Sequence, residues 1–137
     1  MINTISRIRK YKELLADIQE IDIRMQEIEE DIIGISGQAT GERTGKTYKI
    51  TSSVEQQAEK LISKKEELYR EQVAKKREIK RIDNAMTILT DEEREIIQVV
   101  HVEHRKYYVV QEKLKLSYQR VKQLEKQAAE RMSKYIA

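Results

Sequence analysis

Residues 89–132 read LTDEEREIIQVVHVEHRKYYVVQEKLKLSYQRVKQLEKQAAERM, and the spacing of apolar residues in this stretch decides how the rest of the chain is read. Thr90 precedes Asp91 and Glu92, with Glu93 three residues on, the pattern of a capping box at a helix start. Ile96, Ile97, Val99 and Val100 then supply the apolar side of a first helix. Tyr107, Val110 and Leu114 recur at helical spacing and mark a second. Ser117 is a good N-cap for a third, in which Val121, Leu124, Ala128 and Met132 return at threes and fours. The opposite side of this third helix carries Tyr118, Gln119, Arg120, Lys122, Gln123 and Lys126. That set joins phosphate-neutralising cations to side chains able to read base edges.

A short helix, a tight connection and a capped, polar-faced helix form the helix-turn-helix pattern, whose second helix enters the major groove. Periodicity alone fits a small helical bundle with a solvated charged face equally well. Charge separates the two readings. From Arg105 to Lys134 there are nine Lys or Arg against three Glu, whereas Glu13 to Asp31 holds eight acids against one Arg. A basic surface confined to one end is the electrostatic footprint of a DNA-binding module.

The same residues carry a family resemblance. LTDEEREII, then Tyr107, Val110 and Leu114, then LSYQRVKQLEKQAAERM resembles region 4 of the housekeeping-type sigma factors, whose usual form is L-T-x-E-E-R-x-I-I, a helix ending in L-G-I-S, then R-V-K-Q-L-E-x-x-A. The resemblance implies that Tyr118, Gln119 and Gln123 face bases. It places Arg120 and Lys122 along the phosphate backbone, where the charges of Lys126, Lys106 and Lys115 add to theirs. Three positions depart from the pattern: Gln111 replaces a small Ala near the helix crossing, Lys115 the turn Gly, and Lys106 the Ser or Thr that caps the middle helix. A Lys in a left-handed turn is strained by roughly 1 kcal/mol relative to Gly. With a long helical N-terminal half, the whole chain resembles the ArpU/RinA-type phage late-gene transcription regulators. This resemblance implies double-stranded DNA as partner, contact with RNA polymerase, and a place in the cytoplasm of a bacterial host.

The composition agrees with an elongated helical protein. Of 137 residues, 37% are charged and 5% aromatic, with no Phe, Trp or Pro, which reads as long helices with a narrow apolar seam rather than a thick core. The net charge of +3 is too small to argue for nucleic acid without its uneven distribution. Absence of Cys removes any disulfide framework or thiolate zinc site. Neither a signal-peptide pattern nor a membrane-spanning run is visible.

The expected fold is all-α: a helical hairpin arm over residues 1–88 with a Gly-rich loop at 34–52, followed by a three-helix helix-turn-helix domain over 89–137. Leu14, Ile18, Ile21, Met25, Ile28 and Ile32 form a heptad seam. A second seam runs through Val54, Ala58, Leu61, Lys65, Leu68, Gln72, Lys75, Ile79, Ile82, Met86 and Leu89, opened by a capping box at Ser52 and Glu55. Its polar stations Lys65, Gln72 and Lys75 either fix register or mark where the arms splay. The two helices span about 48 and 54 Å at the usual rise per residue, so an antiparallel hairpin follows. Two helices bury little surface, and a homo-oligomer through the arm is expected. Within the loop, Thr47 to Thr51 alternates enough for a brief extended segment. GERTGKT mimics a P-loop, but only three residues separate Gly41 from Gly45 where that motif needs four, and no strand precedes it.

His101 and His104, three apart, read as a surface pair with His101 packing near the neighbouring helix, since two histidines alone make no dedicated metal site. Adjacent acids such as Glu29–Glu30 and Glu66–Glu67 point in different directions and look solvated. Neither a catalytic arrangement nor a cofactor is expected. Two other classes compete with a transcription regulator: a small terminase-like DNA-packaging subunit, which would form a ring, and a coiled-coil interaction protein without specific DNA binding.

Overall fold

The computed structural model describes residues 2–40 and 47–136, with side chains at 4–35 and 53–136. Its described residues form helices joined by short turns: α1 (Ile2–Arg9), α2 (Tyr11–Thr40), α3 (Thr47–Thr87), α4 (Asp91–Ile96) running into a π-helical turn (Ile97–Val102), α5 (Tyr107–Leu114) and α6 (Tyr118–Ser133). Packing divides the chain into two compact units, Asp17–Lys75 and Met1–Ala16 with Lys76–Ala137.

In Asp17–Lys75, α2 and α3 lie antiparallel. Asp17 pairs with Lys75, Asp22 with Gln72 and Glu29 with Lys65, so rising numbers on one helix meet falling numbers on the other. The heptad seam is the buried one: Ile21, Ile28 and Leu68 form its core, flanked by Met25, Ile32 and Leu61. The three polar stations fix register. Gln72 is buried and donates to the Ile18 carbonyl at 3.1 Å and to Asp22 Oδ1 at 2.6 Å, while Lys65 and Lys75 each reach a carboxylate on α2. A slip of either helix would leave a buried amide without its partners.

The Gly-rich loop expected over 34–52 is mostly helix. Helix α2 continues through Gly34 and Gly37 to Thr40, and α3 is under way from Thr47. Isolated glycines cost a helix only about 1 kcal/mol each. The stretch 47–51, expected to be extended, also lies in α3. The capping box expected to open α3 at Ser52 and Glu55 does not do so, because the helix is already under way at Thr47 and Ser52 lies within it; residues 41–46 of the P-loop-like segment lie outside the described residues.

The second unit joins the two ends of the chain. Ile8 of α1 is fully buried with Ile82 and Ala85 of α3, Leu89, Ile97, Val102, and Ala128, Met132 and Ile136 from the α6 end; Ile5, Tyr11 and Leu14 pack around them. Arg7 clamps this arrangement, donating through Nε and Nη2 to Glu78 at 2.8 and 2.6 Å and through Nη1 to the Ile136 carbonyl. Tyr11 donates to Asp83 at 2.6 Å. Packing therefore does not divide at the expected 88/89 boundary, because residues 1–16 and 76–88 supply one wall of the core that the C-terminal helices close.

Candidate nucleic-acid interface

Thr90 caps α4 as its sequence requires: its Oγ1 accepts from Glu93 N at 3.2 Å, and its own N–H donates to Glu93 Oε1 at 3.0 Å. Glu93 is buried, and Arg131 of α6 reaches the same carboxylate at 2.8 Å. Ile96, Val99, Val100, Val110, Val121 and Leu124 form the apolar pin on which α4, α5 and α6 are mounted. Three residues, 115–117, connect α5 to α6. Lys115 takes the left-handed conformation (φ 55°, ψ 47°) that the family pattern fills with Gly. Its N–H and that of Leu116 both close on the Gln111 carbonyl, and Ser117 Oγ then accepts from Arg120 N at 3.1 Å. Lys106 stands at the N-cap of α5 and makes no side-chain cap bond there.

With Val121, Leu124, Ala128 and Met132 buried, the other side of α6 faces solvent. Tyr118, Gln119, Arg120, Lys122, Gln123 and Lys126 are all exposed there, as are Lys106 and Lys115 at the two ends of α5. Arg120 donates to Gln123 Oε1 at 3.3 Å, which ties one cation to one candidate base-reader. Tyr118 stands edge-on to Tyr107, ring centres 5.5 Å apart. Lys122 is not a free cation: its ammonium lies 4.9 Å over the Tyr107 ring and bonds Tyr107 Oη at 3.3 Å and Glu125 Oε1 at 3.2 Å. Burial lowers its pKa, but these bonds outweigh burial and the net direction is up.

Behind this face lies a polar cluster that periodicity did not reveal. Glu125 Oε2 accepts from Tyr107 Oη at 2.7 Å and from His101 Nε2 at 2.9 Å. His101, expected at the surface, is 4% exposed. Arg9 of α1 donates to its Nδ1 at 3.1 Å, which leaves the proton on Nε2. His104 is exposed in a left-handed conformation (φ 57°), its Nε2 2.8 Å from the Arg9 carbonyl. Burial pushes the Glu125 carboxyl up, but the bonds from His101, Tyr107 and Lys122 prevail and hold it at about 2. The only advance sign was Glu125 on the inner flank of a polar helix face. Among the described residues no cluster of ligating side chains fit to hold a metal ion is present, and no helix is long and apolar enough to cross a membrane.

A capped helix packed against its predecessor through a three-residue turn, with a polar outer face, is a helix-turn-helix unit. Residues 85–134 match the protein family described as Sigma-70, region 4, which covers α4, α5, α6 and the turns between them. No curated protein and no solved structure matches the chain significantly.

Proposed function

We propose that the chain is a sequence-specific DNA-binding transcription regulator that docks α6 in the major groove. The observation that carries this reading is the solvent-facing side of α6, held out by a capped, left-handed turn within the segment that matches sigma region 4. Tyr118, Gln119 and Gln123 face base edges; Arg120, Lys126, Lys106 and Lys115 face phosphates, while Lys122 stands among them engaged by Tyr107 and Glu125. An activator of phage late genes of the ArpU/RinA type, touching RNA polymerase, is the finer form of the proposal. The arm serves self-association: on one side of the hairpin Met25, Ile32, Ile62 and Tyr69 line an open groove.

The test is selection of bound fragments from the source genome, followed by titration of variants on the selected duplex. Gln123→Ala is expected to relax preference at one base step. Lys126→Ala is expected to weaken all sequences alike and flatten the salt slope by about 0.9. Wild-type behaviour of both variants would overturn the assignment of the reading face. Ring assemblies of many subunits would point to DNA packaging instead.

A further inference from the structure

Three unusual features meet between α4 and α5: a π-helical turn over Ile97–Val102, a left-handed His104, and a buried His101 held between an arginine and a carboxylate. π-turns widen a helix by one residue per turn and recur at functional sites. Here the turn contains His101, whose imidazole links Arg9 of α1 to Glu125 of α6. Glu125 passes the linkage outward, because its two oxygens hold Tyr107 and Lys122, and Tyr107 in turn supports the ring of Tyr118.

We propose that His101 and Glu125 are positioning residues of the reading helix, and that Glu125 withholds Lys122 from phosphate. This rests on the DNA-binding reading of α6. An ammonium compensated by a carboxylate, one of its protons engaged by a phenol oxygen, adds little to counterion release. Its role is to fix Tyr107 and, through it, Tyr118. Arg9 makes α1 part of the device: by donating to Nδ1 it forces the proton onto Nε2, the tautomer that can bond Glu125. The arrangement trades non-specific affinity for a fixed geometry at Tyr118.

Glu125→Gln keeps the shape and removes the charge. With the fold verified by circular dichroism, this variant is expected to bind a short random-sequence duplex about eightfold more tightly at about 0.1 M salt, with a slope steeper by about 0.9. Its preference for the selected site over random DNA should fall. A packing role alone would weaken binding to both duplexes and leave the slope unchanged, and that result would overturn the proposal. Nitrogen NMR of His101 gives a readout independent of DNA: wild type should show the Nε2–H tautomer, and Arg9→Met a mixture. A fixed tautomer in Arg9→Met would remove α1 from the relay. Wild-type protein without salt-dependent DNA binding would sink the DNA reading and this role together; normal binding by both wild type and Glu125→Gln, with equal slopes, would sink only this role.

Discussion

Lys115 occupies a left-handed backbone conformation in which a side chain is a disadvantage, and the proposed phosphate contact of its charge would be the compensation. At φ 55° and ψ 47° a glycine would relieve about 1 kcal/mol. Lys115→Gly is expected to raise the melting temperature by about 2–8 °C while weakening duplex binding and flattening its salt slope; calorimetry and binding titrations on one preparation check both halves. A variant that gained stability at no cost in binding would show that the Lys115 charge does not reach DNA. Glu125 gives a second residue-scale expectation. Its carboxyl is held at about 2, against an ordinary value of 4.5. A depressed acid contributes stability that is fully present above about pH 4.5 and is lost as pH falls toward 2. Acid unfolding followed by the Tyr107 and Tyr118 environment should therefore begin below pH 4.5 in wild type, and Glu125→Gln should lack that component.

Among the elements, α1 has the role least expected from its sequence. Ile8 is fully buried against α3 and the C-terminal helices, so Ile8→Ala should cost about 2–5 kcal/mol, measured as a lower urea midpoint for the unit containing α4–α6. A negligible loss would mean that α1 merely rests on the surface. What was legible in advance follows the range of the interactions. Every position of the second seam that was read from spacing is half-buried or buried, from Val54 to Leu89, because helical period and burial are the same fact seen twice. The caps at Thr90 and Ser117 were equally local and equally legible, whereas the left-handed Lys115 followed only from the resemblance, whose pattern has Gly there. Ile8 and Tyr11 meet partners 70 or more positions away, at Ile82 and Asp83, and no period carries that information. The His101–Glu125 pair was hidden for the same reason, and the π-turn because an apolar run such as Ile96–Val102 has too many hydrophobic faces to reveal which winding it takes.

At the scale of the whole molecule, the thin core of Ile21, Ile28 and Leu68 is what makes self-association an expected property. Ile62 and Tyr69 remain 46% and 59% exposed on the groove side, and a second copy would cover them. Light scattering at micromolar concentration should show a mass above that of the monomer, and Tyr69→Glu should return it to the monomer without loss of helix content. A monomeric wild type would remove the arm's proposed role and leave that of α6 untouched. The Arg7 clamp also bears on how the molecule is made. Its partner carbonyl at Ile136 lies 129 positions away, so during translation α1 emerges long before anything it can pack upon. A nascent chain lacking the α6 end leaves Ile8 and Ile82 bare, a target for chaperones and proteases. A polypeptide broken off before α6 would lack both the proposed reading helix and the apolar wall that covers Ile8.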